Sequence, residues 1–148
     1  MKKTYQITVD GQTKMYDEKT TLLTIAQEHQ KDYPDDILLA VYEHKLTELF
    51  KHIKRDGTIV FLTGKDKNGQ RAYRRSVVLL MQKALMNLYP EGCMDVNVLH
   101  SLGQGYFCLL KKNNGQDESE IVAISPDFLK ALKDEMKRIV KEDEPIAT

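Results

Sequence analysis

Residues 71–90 read RAYRRSVVLLMQKALMNLYP, and this stretch decides how the rest of the chain is organised. Apolar side chains begin at Val77 and recur at the i, i+3, i+7, i+8 and i+11 spacing of an amphipathic helix. Because Val78, Leu79 and Met81 widen that apolar stripe, the pattern predicts a long helix buried on much of its circumference. We expect one small domain before this helix and part of a second domain after it.

The chain before the helix predicts a small mixed sheet crossed by one helix. Alternation favours a first strand, an Asp-Gly turn follows it, and Thr20 or Thr21 is placed to cap a helix. The remaining apolar runs predict strands, the longest of them buried on both faces. The expected segments are strands at 4–9 and 14–16, a helix at 22–29, and strands at 37–42, 46–50 and 58–62. This order is typical of the β-grasp, ubiquitin-like fold.

A polar segment separates this domain from the helix that begins near Arg71. Residues 65–70 contain no apolar side chain and predict a linker, which gives domains at 1–64 and 71–148. Beyond the long helix we expect strands at 93–99, 106–110 and 120–124, a glycine turn at 103–105, and a surface loop at 113–115. Ser125, Pro126 and Asp127 then predict the start of a last helix. The fold class predicted for the whole chain is α+β.

The apolar face predicted for that last helix consists of Phe128, Leu132, Met136, Ile139 and Val140. An i, i+4 ion pair is also expected on this helix, between Asp134 and Arg138.

Composition excludes several classes of protein. The chain has 148 residues with 41% hydrophobic and 30% charged side chains, which is ordinary for a folded protein. Neither a membrane-spanning run nor a signal-peptide pattern is present, so we expect a cytoplasmic protein without membrane contact. Phosphate-loop, dinucleotide-binding, zinc-protease and nucleophile-elbow motifs are absent from the sequence.

No catalytic or metal-binding set is predicted either. The two cysteines, Cys93 and Cys108, are interpreted as buried thiols, because their spacing matches no zinc motif. His100 lacks an identifiable acid or nucleophile partner and is interpreted as a structural or surface residue.

Positive charge is concentrated at the junction between the predicted domains. The chain carries 22 basic and 22 acidic side chains in total, yet residues 65–75 hold five basic residues and one acid. Arginines in the first turns of a helix oppose its macrodipole, so stability alone does not explain them. The predicted anion- or RNA-binding residues are Lys65, Lys67, Arg71, Arg74 and Arg75, with Lys54 and Arg55 extending the surface. The alternative is that the arginines pair with acids such as Asp66 or with another domain.

Two blocks of the chain resemble the N-terminal half of threonyl-tRNA synthetases. YQITVDGQTKMYDEKTTLLTIAQEH and ILLAVYEHKLTELFKHIKRDGTIVFLT resemble a TGS domain, a β-grasp module. YRRSVVLLMQKALMNLYP and ISPDFLKALKDEMKRIVKEDEPI resemble helices of the synthetase's second, editing-type domain, which is incomplete here. Arg75 and Leu79 stand where that family has an HxxxH pair serving its editing centre. The resemblance therefore implies the fold without the editing activity.

A second resemblance is to uridine-kinase-like proteins, in which a TGS domain and a degenerate editing-type domain precede a C-terminal kinase domain. The segments DKNGQRAYRRSVVLLM and HSLGQGYFC carry it. It implies a fragment of a nucleoside kinase in which this chain is a non-catalytic region that regulates the kinase or binds RNA or nucleotide. ATP and Mg²⁺ would then belong only to the kinase domain, which would be a partner in the same chain. Alternatives are a docking module, a region of a threonyl-tRNA synthetase-like protein, and a stand-alone editing hydrolase. The oligomeric state is not predicted.

Overall fold

The computed structural model describes residues 3–90, 94–113 and 119–144 of the chain. Two compact units divide between Arg75 and Ser76, within the long helix. The first unit contains β1 (Thr4–Val9), β2 (Gln12–Asp17), α1 (Leu22–His29), a 3₁₀ turn (Gln30–Asp32), β3 (Ile37–Tyr42), β4 (Lys45–Thr47) and β5 (Gly57–Thr63). The long helix α2 (Lys67–Leu88) follows, and then β6 (Met94–Leu102), β7 (Gly105–Asn113), β8 (Ser119–Ile121) and α3 (Pro126–Glu142). The predicted α+β class is confirmed.

The first unit is a five-stranded mixed sheet with one helix against it. The strand order is β2-β1-β5-β3-β4, with β1 and β5 parallel and the other neighbours antiparallel. Of the two predicted capping candidates, Thr21 caps α1 by accepting a hydrogen bond from the Thr24 amide. Leu22, Ile25 and Ala26 of α1 are buried against the sheet. The core residues of the strands are Ile7, Val9, Tyr16, Ile37, Ala40, Tyr42, Ile59 and Phe61, and Ile53 joins them from a loop.

Two tight turns set the register of this sheet. Asp10 and Gly11 both have positive φ and join β1 to β2, as an Asp-Gly pair predicts. Glu43 and His44 also have positive φ, 49° and 63°, and join β3 to β4. Glutamate rarely adopts left-handed backbone, and Glu43 is stabilised there because its Oε1 accepts from the Thr58 amide at 3.2 Å. The short strand predicted at 46–50 is instead Lys45–Thr47.

Tyr42 anchors the loop that leads into β5. Its hydroxyl accepts hydrogen bonds from the amides of Lys54 and Arg55, at 3.3 and 3.0 Å, and donates to the Arg55 carbonyl. Replacing Tyr42→Phe is expected to lower the free energy of unfolding by about 1 kcal/mol, because water must replace these bonds. Urea unfolding followed by circular dichroism measures this loss. Tyr5→Phe is the control, since Tyr5 is partly buried in the same core but has no hydroxyl bond among the described residues.

The second unit packs two helices on a three-stranded antiparallel sheet of order β6-β7-β8. Its core combines Ala84 and Leu85 of α2, Val96 of β6, Leu110 of β7, and Leu132 and Ile139 of α3. Ser125 caps α3 by accepting from the Phe128 amide, and Pro126 is the first helical residue, as predicted. Of the loop predicted at 113–115, Asn113 belongs to β7, and the other two residues lie outside the described residues, as does Cys93.

Three sequence predictions for the helices were wrong. Residues 67–70, predicted as part of a linker, form the first turn of α2. The helix α2 is not buried on much of its circumference, because Val77 and Leu79 are exposed and the sheet covers a single stripe. Val140 of α3, predicted on the apolar face, is 62% exposed.

Arg138 of α3 bonds to different acids from the one predicted. Its guanidinium donates to Glu135 and Glu142 and, among the described residues, makes no bond to Asp134. Glu135 also accepts from the Asn87 side chain of α2 at 2.9 Å. Hydrogen bonds from Arg138 and then Asn87 lower the pKa of Glu135 from 4.5 to about 2.

This lowered pKa predicts acid sensitivity of the second unit. A carboxyl whose pKa is depressed on folding contributes stability above its ordinary pKa, and that contribution is lost as the pH falls from about 4.5 towards 2. We expect Glu135→Gln to lower the melting temperature at pH 6, with the difference from wild type shrinking as pH approaches 2. Asp134→Asn on the same helix is the control and should leave the melting temperature at pH 6 close to that of wild type, because Asp134 makes no bond to Arg138 among the described residues. A difference that persists unchanged at pH 2 would assign the effect to packing.

Candidate functional site

Four of the predicted cationic residues lie along one stripe of α2. Lys67, Arg71, Arg74 and Arg75 have i, i+4, i+7 and i+8 spacing, which places them within a stripe about 100° wide. All four are exposed. We call these residues the α2 cationic stripe. The helix thus brings together, on one side, charges that are spread over nine positions of sequence.

Gly69 sets the orientation of the stripe. A Cβ added to Gly69 would lie 2.0 Å from the carbonyl oxygen of Thr63, so the first turn of α2 approaches the end of β5 at a distance only glycine allows. Gly69 is buried and, at 100° per residue, lies on the opposite side of the helix from the stripe. The stripe therefore points away from this contact.

The predicted pairing between the arginines and Asp66 does not occur. The Asp66 carboxylate accepts from the Thr63 amide at 2.8 Å, and the Asp66 amide donates to the Thr63 carbonyl at 3.1 Å. Asp66 therefore closes the turn between β5 and α2. Within residues 3–90, 94–113 and 119–144, no carboxylate forms an ion pair with Arg71, Arg74 or Arg75. Their charges are available to a ligand.

The other predicted site residues lie apart from the stripe. Lys65 pairs with Asp35 across 3.0 Å, which ties the segment before β3 to the segment after β5 and offsets the lysine charge. Lys54 and Arg55 precede β5, whereas the stripe follows it, and a strand of this length spans about 20 Å. Both have exposed side chains on a backbone fixed by Tyr42. The structure therefore does not bring all seven predicted cations into one surface.

Only one of the predicted cations of α2 opposes the helix macrodipole. Because α2 begins at Lys67, Arg71, Arg74 and Arg75 are its fifth, eighth and ninth residues and lie beyond the first turn. The macrodipole acts mainly within that turn, so only Lys67 opposes it. The arginines are candidates for a ligand because they are exposed and form no ion pair within the part of the chain that the structure describes.

Metal sites in proteins are built from clustered His, Cys, Asp and Glu side chains. Among the described residues, no group of three or more His, Cys, Asp or Glu is placed to hold a metal ion. Arg75 and Leu79 are both exposed and one turn apart on α2. The titratable cluster of the first unit is Lys14, Tyr16 and Glu28, in which Glu28 accepts from both partners at 2.8 Å. Burial, and then the bond to Glu28, raises the pKa of Tyr16 to about 12, which favours a hydrogen-bonding role for this phenol.

Two features of the structure were not predicted from the sequence. Gly69 was counted only as part of a polar linker, although a glycine beside a strand end can indicate a close backbone approach. His100 was interpreted as a structural or surface residue, yet its ring stacks on Phe107 with centroids 5.3 Å apart on an exposed part of the second unit.

Threonine–tRNA ligases are similar to this chain over nearly its whole length. The ligase of Syntrophomonas wolfei is 27% identical over 137 residues, which are 93% of this chain and 20% of that protein. The ligase of Desulforamulus reducens is 25% identical over 136 residues, covering 92% and 20% of the two chains. That of Thermotoga neapolitana is 26% identical over 137 residues, covering 93% and 20%. No protein-family model matches the chain.

The chain spans about a fifth of the length of the curated relatives it matches. These relatives support the resemblance to threonyl-tRNA synthetases and give no support to a uridine-kinase parent. Within the part of the chain that the structure describes, no helix has the length and apolar character needed to cross a membrane.

Proposed function

We propose that this chain is a non-catalytic RNA-binding region related to the N-terminal part of threonyl-tRNA synthetases, and that the α2 cationic stripe contacts RNA phosphates. The observation that carries the proposal is that Arg71, Arg74 and Arg75 are exposed on one side of a helix and form no ion pair with any described residue. Guanidinium groups match phosphate geometry, and such contacts supply most of the affinity for nucleic acid. The similarity to threonine–tRNA ligases makes tRNA the first RNA to test.

We also propose domain identities for the two units. The order β2-β1-β5-β3-β4, with β1 parallel to β5 and one helix after the first hairpin, supports a β-grasp TGS domain. The second unit would be a threonyl-tRNA synthetase editing-type domain that has lost its activity. Arg75 and Leu79 support this loss, because neither side chain can hold a metal ion or act as a general base. The cytoplasmic location expected from the sequence remains part of the proposal.

Two alternative functions, a region of a uridine kinase and a protein-docking module, can be distinguished from RNA binding. A uridine-kinase parent would supply ATP and Mg²⁺ binding from a separate domain, and a GxxxxGK[ST] motif in adjoining gene sequence would favour it. A docking module would use the same arginines against acids of a protein partner. The similarity to threonine–tRNA ligases favours the synthetase-like alternative over the kinase.

Fluorescence anisotropy with labelled, deacylated tRNA at about 50 mM salt tests the proposal. We expect the variant with Arg71→Gln, Arg74→Gln and Arg75→Gln to bind about 10- to 100-fold more weakly than wild type. The matched control changes Lys130, Lys133 and Lys137, three exposed cations of α3, to glutamine. Equal affinities for wild type and the arginine variant, or no binding by wild type, would reject the stripe as an RNA site.

A further inference from the structure

The sheet of the second unit has one face covered by helices and one face open. Val96 and Leu110 lie opposite each other on β6 and β7 and are buried with α2 and α3 residues. Because side chains alternate along a strand, Phe107, Leu109 and Lys111 of β7 lie on the other face. Ile121 of β8, opposite Lys111, lies on that face and is 63% exposed. The open face therefore includes the central strand of the sheet.

An aromatic pair occupies this open face. His100 and Phe107 are cross-strand partners, and their rings are nearly parallel, with centroids 5.3 Å apart and planes inclined by 22°. Phe107 is 40% exposed, and its neighbour along the same face, Gly105, has no side chain to cover it. Part of the Phe107 ring is thus left accessible to a ligand.

The part of the hairpin around the aromatic pair carries no acidic side chain. No acidic residue occurs between Asn97 and Asn113, a stretch that includes Lys111, Lys112 and the aromatic pair. Two acids oppose these lysines in register at the base of the hairpin, Asp95 of β6 opposite Lys111 and Glu120 of β8 opposite Lys112. Unpaired bases bind proteins by stacking on aromatic side chains, and an open sheet with helices on its other face is a common support for such stacking.

We propose that this aromatic pair binds an unpaired base of single-stranded RNA, with the base stacking on the exposed π surface of Phe107 and His100. The inference rests on the proposed RNA ligand, but it concerns residues outside the α2 cationic stripe. The stripe contacts phosphates, whereas the aromatic pair contacts bases. Loss of the phosphate contacts should therefore change the salt dependence of binding, whereas loss of the base contact should not.

The test uses the full chain and a labelled uridine RNA of about ten nucleotides, with anisotropy as the readout. We expect Phe107→Ala to weaken binding about tenfold, Phe107→Trp to restore it, and the dependence of affinity on salt to stay unchanged in both. Ile121→Ala removes a more exposed apolar side chain from the same face and should change affinity less than twofold. A backbone of the same length lacking bases should bind wild type and Phe107→Ala equally.

Three outcomes would overturn the inference. The first is equal affinity of wild type and Phe107→Ala for the uridine RNA. The second is an equal loss for Ile121→Ala, which would indicate a general apolar surface. The third is self-association of wild type that Phe107→Ala abolishes without any effect on RNA, which would assign the face to a second copy of the chain. If Phe107→Ala has no effect while the arginine variant still loses tRNA, only the stacking site is rejected.

Discussion

Replacing Leu22→Ala is expected to lower the free energy of unfolding of the first unit by about 2–5 kcal/mol, the usual cost of truncating a fully buried leucine. Leu22 begins α1, is 0% exposed, and packs among strand residues of the five-stranded sheet. Since a domain of this size is stable by about 5–15 kcal/mol, the loss is a large share of the total. Urea unfolding of the full chain, followed by circular dichroism, measures it.

The neighbouring residue provides the matched control. Leu23 has the same side chain on the same helix but is 43% exposed. We expect Leu23→Ala to cost less than about 1 kcal/mol, because little apolar area returns to water. Equal losses for the two variants would contradict the orientation of α1 on the sheet.

Replacing Gly69→Ala is expected to destabilise the turn between β5 and α2 by about 2 kcal/mol. The added Cβ would lie 2.0 Å from the Thr63 carbonyl oxygen, and a backbone atom cannot move aside as a flexible side chain can. In an unstrained helix, alanine is more stable than glycine by about 1 kcal/mol. A loss of stability would therefore indicate the contact with Thr63. Thermal unfolding and the helical circular dichroism signal are the measurements.

Gly64→Ala is the control for this prediction. An added Cβ at Gly64 would meet only Leu38, at 4.0 Å. That substitution should be neutral or slightly stabilising, since alanine has fewer unfolded conformations. A stabilising effect of Gly69→Ala would show that α2 does not begin against Thr63. The orientation given above for the α2 cationic stripe would then lose its support.

Local signals in the sequence predicted most of the secondary structure. Thr21 and Ser125 each precede an amphipathic run, and each caps a helix as expected from its own side chain. Asp10 and Gly11 form the turn between β1 and β2, as expected for two residue types that tolerate positive φ. Such features depend on a few neighbouring residues, so one sequence is enough to find them.

Features that depend on distant partners were not predictable in this way. Asp66 stands near arginines in sequence, yet its carboxylate accepts a hydrogen bond from the Thr63 amide, and Lys65 forms an ion pair with Asp35 thirty positions away. The start of α2 was predicted too late because residues 67–70 are polar and show no helical spacing of apolar side chains. The close approach of Gly69 to Thr63 makes a turn of helix possible there. The stacking of His100 on Phe107 likewise follows from strand register, which the sequence does not reveal.

The salt dependence of tRNA binding tests the central claim most directly, because its slope counts the phosphate contacts that cations make. The logarithm of the binding constant is measured against the logarithm of the salt concentration for wild type, the Arg71, Arg74 and Arg75 glutamine variant, and the α3 lysine control. The proposed stripe predicts a slope that is shallower by about 2–3 in the arginine variant and unchanged in the control. Identical slopes for wild type and the arginine variant would contradict the assignment of RNA phosphates to α2.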